Sequence, residues 1–221
     1  AQWPQADFIV GNPPFIGNKR MREALGDGYS QALRHACPSV PESADFVMYW
    51  WNHAAALVRA GSARRFGLIT TNSITMIFNR RVLEAHRSAT PALRFAFAVP
   101  DHPWVDGSGD ADVRIAMTVG AVGSDAGNLL TSIAEQDAGN GEVEVTFDAR
   151  EGAIHADLKI GANVAAAIRL RASDGMSNRG VIPHGAAFIL TPEQARHLGL
   201  GQVPGMELLI RPYRNGREIG R

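Results

Sequence analysis

The chain has 221 residues, enough for one ordinary domain or one domain with an appendage, and its 45% hydrophobic content supports a packed core and argues against disorder. Lys plus Arg and Asp plus Glu both number 22, so the formal net charge is zero, which excludes a wholly basic nucleic-acid coat and leaves room for a local basic face. Cys37 is the only cysteine, which excludes an internal disulfide and a cysteine-rich zinc site and fits a reducing compartment. With no signal peptide and no bilayer-length apolar run, a cytoplasmic protein without a membrane partner is expected.

Phe8-Ile9-Val10 reads as a buried strand, a compact β-favouring run that ends in turn residues. Asn12-Pro13-Pro14-Phe15 follows at once. Two prolines cannot continue a hydrogen-bond ladder. The chain therefore leaves the sheet there, holding Asn12, two rigid residues and an aromatic ring at the edge where open α/β sheets place ligands. Ile16 to Arg22 is a loop passing into a short basic helix, and Tyr29 to Ala36 is a second short helix. Ser43 or Asp45 is a candidate cap for the next helix, which runs from Phe46 to about Ala60, carries Tyr49, Trp50 and Trp51, and stops at Gly61. Core packing is the favoured reading of those aromatics.

Arg65 to Thr71 is the second strand, with a polar tip at Thr71-Asn72-Ser73 that suits strand-end hydrogen bonding or lining of a site. A helix from about Arg80 to Ser88, a third strand from Leu93 to Val99 and a fourth from Val113 to Val122 follow. This alternation argues for an α/β fold with a parallel, doubly wound sheet. No helix-sized segment separates the last two strands, which leaves that pair open to antiparallel pairing. From about Gly123 glycine, Asp and Asn rise, placing a soft boundary near residue 125. Beyond it, Glu142 to Phe147 reads as a strand, Ala162 to Leu170 as a helix, Gly180 to Leu190 as β-rich, and Thr191-Pro192-Glu193 as the start of a helix to about Leu198.

The Asn-Pro-Pro-Phe corner suits a planar group that carries an NH2. The lone pair of such a nitrogen is delocalised into its ring. The Asn12 side-chain oxygen and the Pro13 carbonyl can each accept one N–H, which shifts density to the nitrogen and favours its attacking form. The same acceptors stabilise charge that develops on that nitrogen, and Phe15 can stack on the ring. No titrating base is needed. The seven histidines show no ligand spacing, so no metal site is expected.

Asn12-Pro13-Pro14-Phe15 after an apolar strand resembles the catalytic motif of S-adenosylmethionine-dependent amino-methyltransferases. The wider pattern is similar to restriction–modification enzymes of the MmeI type: Asp7 to Gly17, Ala44 to Trp51, Gly67 to Ile74, Asn79 to Glu84, Pro103-Trp104 with Asp112 to Met117, and Ile210 to Ile219. These blocks are dense to about residue 122 and thin beyond it. The resemblance implies a partial Rossmann-like class I methyltransferase sheet over residues 1–125, carrying the catalytic half. Residues 126–221 would form a small α+β extension and linker toward a target-recognition domain. It implies adenine-N6 methylation of double-stranded DNA, with the base extruded from the duplex, and assigns Asn12, Pro13, Pro14 and Phe15 to the catalytic pocket. Trp104 is then a candidate second wall of the base pocket, with simple loop packing the equal alternative. Lys19, Arg20 and Arg22 beside the motif, and Arg211 and Arg214 near the end, are candidates for the DNA backbone; a solvated face and a linker are the competing readings.

Families of this type hold the cofactor on a glycine-rich turn after an earlier strand. Gly199 to Gly205 has the wrong spacing for that turn and follows no strand. The cofactor-binding and nuclease parts are therefore expected upstream of an excised piece that is inactive alone. In that case Phe8 to Val10 offers an unpaired apolar edge, and self-association follows. An RNA-guanine or protein-glutamine methyltransferase, or a non-catalytic DNA-binding segment, remains the alternative.

Overall fold

The computed structural model describes residues 3–104, 113–138, 143–163, 167–168, 170–176, 185 and 188–213. The chain divides into two compact units, Ala1–Ala167 and Ile168–Arg221.

The first unit is built on a six-stranded sheet in the order β1-β2-β4-β3-β5-β6. Its strands are β1 (Phe8–Gly11), β2 (Arg65–Thr71), β3 (Leu93–Trp104), β4 (Val113–Val122), β5 (Gly127–Asp137) and β6 (Val143–Gly152). The helices are α1 (Met21–Leu25), α2 (Asp27–Ala36), α3 (Val47–Arg59) and α4 (Ile77–Arg87). β1 and β2 are parallel, as are β3 and β5, whereas β4 runs antiparallel to both β2 and β3 and β6 antiparallel to β5. The sheet is thus mixed rather than parallel throughout. The connection from β3 to β4 is too short for a crossover helix, so β4 turns back and inserts between β2 and β3.

Alternation along β2 buries Phe66, Leu68 and Thr70 on one face. Trp51 of α3 is fully buried and meets Phe66 edge-on, with ring centroids 5.1 Å apart, and its Nε1 donates to Thr118 Oγ1 of β4 at 3.1 Å. Phe66 pairs in register with Gly120, where a Cβ would collide with the ring, so only glycine lets the ring lie across β4. α4 packs beside α3: His86 Nε2 donates to Asn52 Oδ1 at 2.9 Å, and its Nδ1 accepts from Arg59. Burial, joined by the Arg59 charge, pushes the His86 imidazole down to about 4, so the neutral ring is the form that packs.

Two strand expectations change. β3 continues past Val99 to Trp104, because a register shift between Val99 and His102 lets the chain keep pairing through Pro100 and Pro103. β1 is an edge strand rather than a buried one: Phe8 is 57% and Val10 85% exposed, while Ile9 packs on the core. Residues 127–152 continue the sheet, so the position near 125 falls between two of its strands, and the division of the chain into compact units falls between 167 and 168.

In the second unit, α5 (Pro192–His197) starts on a capping box between Thr191 and Gln194 with proline in the first turn, and α6 (Met206–Leu209) follows. Residues 164–166 and 169 of the expected helix, and most of the β-rich stretch from 180 to 190, lie outside the described residues. No helix among the described residues is long and apolar enough to cross a membrane.

Candidate functional site

β1 ends at Gly11, and Asn12-Pro13-Pro14-Phe15 follows directly at its C-terminal tip. Pro13 is buried, Phe15 packs on the core, and Asn12 faces solvent. Because β1 and β2 are parallel neighbours, the Thr71-Asn72-Ser73 tip of β2 arrives at the same edge. A cavity of about 290 Å³ opens between them, lined by Phe15, Ile16, Gly17, Asp45, Val47, Thr71 and Ser73.

Asp45 ties these segments together. Its Oδ1 accepts the backbone N–H of Asn18 at 2.9 Å, and its Oδ2 accepts the Ser73 hydroxyl and the Asn79 Nδ2, both at 2.7 Å. Thr71 Oγ1 lies 2.5 Å from Ser73 Oγ, which has given its own proton to Asp45 and so accepts. Neither Asp45 nor Ser43 caps α3 through its side chain; the Asp45 carboxylate turns to the motif loop and to α4 instead. Of the three candidates at the β2 tip, Thr71 and Ser73 line the cavity and Asn72 does not.

A second polar cluster stands further along the same edge. Arg114 Nε donates to Asp101 at 2.7 Å, and its other nitrogens donate to both Glu135 oxygens at 3.1 and 2.6 Å. Asn72 Nδ2 donates to Asp101 Oδ1 at 3.1 Å, linking this cluster to the β2 tip. The Arg114 hydrogen bond, joined by that of Asn72, holds the Asp101 carboxyl below the usual carboxylate range.

The sequence candidates separate spatially. Trp104 is the last residue of β3, 38% exposed and paired opposite Val113, so it stands on a strand and not in a loop. β2 and β4 lie between it and β1, which puts it about 14 Å across the sheet at ordinary strand spacing, and it does not line the cavity. Lys19 and Arg20 occupy the 3₁₀ turn Asn18–Arg20 directly after the motif and are exposed. Arg22 in α1 is exposed, 3.7 Å from Asp27. Arg211 belongs to the second unit, where its Nε donates to Leu208 O at 3.4 Å; Arg214 lies outside the described residues. Tyr49 and Trp51 are core residues, with Trp50 packed against them. Among the described residues no group of three or more His, Cys, Asp or Glu is placed to hold a metal ion.

Fold and site together define a Rossmann-like α/β domain whose cavity sits at the C-terminal edge of its parallel strands. Residues 2–130, more than half of the chain, match the family model of the MmeI DNA-methyltransferase domain, and the chain belongs to that family. Among solved structures it is similar to the type IIL restriction-modification enzyme MmeI in complex with DNA: 23% identity and a TM-score of 0.51, over 71% of this chain and 20% of that one. That likeness establishes the fold. A modification subunit attributed to a type I restriction enzyme from Vibrio vulnificus YJ016 is 14% identical with a TM-score of 0.38, over 60% of this chain and 26% of that one. No protein of curated function matches the chain.

Proposed function

We propose that this chain is the catalytic-motif half of a DNA adenine-N6 methyltransferase in a restriction–modification system, active when joined to a cofactor-binding half. The observation that carries this is the position of Asn12-Pro13-Pro14-Phe15 at the tip of β1, where Phe15 lines the cavity, in a member of the MmeI methyltransferase-domain family.

A cavity of about 290 Å³ falls just below the range of about 300–1,000 Å³ usual for ligand sites. It suits one base and does not hold a base and a whole cofactor together. In this reading the cofactor site belongs to the other half, because the glycine-rich turn after a strand is not found in this sequence; a strand of that half would pair with the open edge of β1. S-adenosylmethionine is the methyl source in this reading. The residues of this chain hold the acceptor: Asn12 Oδ1 and the Pro13 carbonyl take the two N–H bonds of the adenine amine, and Phe15 covers the base. Prolines at both central positions keep the acceptors rigid, so little reorganisation is needed when charge develops on the nitrogen. The base comes from double-stranded DNA by extrusion. Lys19, Arg20 and Arg22, next to the cavity in sequence, meet the backbone phosphates. Arg211 and Arg214 carry the same role on the way to a target-recognition domain, and Trp104 would stack on a neighbouring base rather than on the flipped one.

A panel of acceptors tests this reading: the polypeptide joined to its cofactor half, labelled S-adenosylmethionine, and duplex DNA, RNA or a glutamine-bearing protein. Label at adenine N6 in DNA supports it. Label in RNA alone or protein alone supports the alternative methyltransferases, and label nowhere supports a non-catalytic DNA-binding segment.

A further inference from the structure

Asp45 stands where the motif loop, the β2 tip and α4 meet. Three donors converge on its carboxylate: the Asn18 backbone N–H, the Ser73 hydroxyl and the Asn79 carboxamide. Its own backbone N–H donates to Asn79 Oδ1 at 2.8 Å, so the two residues grip each other twice. Asn79 is only 4% exposed and also donates to the Ser73 carbonyl at 2.9 Å. On the loop side, the Phe46 N–H donates to Ile16 O at 2.9 Å, and a Cβ on Gly17 would stand 3.8 Å from Asp45 Oδ1. The loop backbone therefore runs against the carboxylate. Among the described residues Asp45 has no ion-pair partner, so these donors alone satisfy its charge. Hydrogen bonds to an ionised acceptor are about twice as strong as neutral ones.

We infer that Asp45 is a positioning residue: through the Asn18 N–H it clamps the loop that carries Phe15 to the tip of β2, and thereby fixes where the Asn12 and Pro13 acceptors face the substrate amine. This rests on the methyltransferase reading. It names a residue that lines the cavity and acts on the reaction through the loop it holds. A clamp of this kind acts on the chemical step, because acceptors displaced by about 1 Å cost on the order of 100-fold in rate.

The test removes the bond from each end in the polypeptide joined to its cofactor half. Asp45→Ala removes the acceptor. Asn18→Pro removes the donor, and proline is tolerated there because Gly17 is already extended (ψ 146°) and Asn18 opens the 3₁₀ turn. Asn18→Ala keeps the N–H and controls for the side chain, which accepts from Arg34 at 3.4 Å. The clamp predicts that Asp45→Ala and Asn18→Pro each lower kcat by roughly 10- to 100-fold, with KM for DNA within about 3-fold, and that Asn18→Ala stays near wild type. The double variant is then no worse than the lower single variant. Asn18→Pro at the wild-type kcat, or two effects that multiply, would overturn the inference. If the wild type methylates nothing, the function reading fails separately. Amide exchange at Asn18 then decides the clamp: faster in Asp45→Ala supports it, unchanged exchange refutes it.

Discussion

The bond between Trp51 and Thr118 fastens α3 to the middle of the sheet, and α3 in turn carries Asp45 at its entry. Trp51 is 0% exposed and Thr118 1%, so neither end has access to water. Thr118→Val keeps the shape but leaves the indole N–H buried without an acceptor, a cost of about 1–3 kcal/mol. Trp51→Phe strands the Thr118 hydroxyl and also opens a void among Phe66, Phe95 and His86, which surround the indole at centroid distances of 5.1, 6.1 and 5.8 Å. The void adds to the lost bond, giving about 2–4 kcal/mol. In the double variant the void remains but no polar group is orphaned, so the loss is smaller than the sum of the singles by about 1–2 kcal/mol. Each single is a large share of the 5–15 kcal/mol typical of a domain. Urea unfolding of the 221-residue chain, followed by far-ultraviolet circular dichroism, measures all four corners of the cycle. Losses that simply add, within about 0.3 kcal/mol, would refute the claim that this hydrogen bond holds α3 to the sheet.

Three further outcomes are expected. The folded state keeps His86 neutral down to about 4, against about 6.5 in the unfolded chain, so stability is full above pH 6.5 and falls as pH drops toward 4. Allowing for solvent screening, the loss is on the order of 2 kcal/mol; urea midpoints at pH 7.5 and 4.5 measure it, and an unchanged pH slope in His86→Gln would refute the assignment. The β1 edge makes the isolated chain self-associate, and Val10→Lys, a charge on that edge, suppresses it; light scattering that finds a wild-type monomer at high concentration contradicts this. Calorimetric titration of the isolated chain with S-adenosylmethionine shows no saturable binding, whereas ordinary micromolar binding would place the cofactor site within these residues.

The strands that were legible in sequence are those with period-two burial or a compact apolar run. β2 and β4 match their expected limits because Phe66, Leu68 and Thr70 carry a one-face signal and β4 is a compact apolar run buried on both faces. β5 left almost no such signal: only Gly127 and Leu129 are buried, and the run from Ser132 to Asp137 is largely exposed, held by pairing with β6 rather than by a core. β3 was cut short at Pro100 because sequence gives no sign that a bulge will carry the pairing past two prolines. The motif at Asn12 to Phe15 was legible because its chemistry is consecutive in the chain. Asp45 was legible only as a helix cap, since its partners Asn18, Ser73 and Asn79 stand 27, 28 and 34 residues away and meet it only in the folded sheet. Arg114, Asp101 and Glu135 escaped notice for the same reason.

The most direct measurement is methyl transfer by the polypeptide joined to its cofactor half, wild type against Asn12→Ala, on duplex DNA with labelled S-adenosylmethionine. Removing one of two acceptors aimed at the amine should cost on the order of 100- to 1,000-fold in kcat, as loss of a preorganised electrostatic partner does, with the fold intact because Asn12 is exposed. Methylation by Asn12→Ala at the wild-type rate would contradict the assignment of catalysis to the tip of β1.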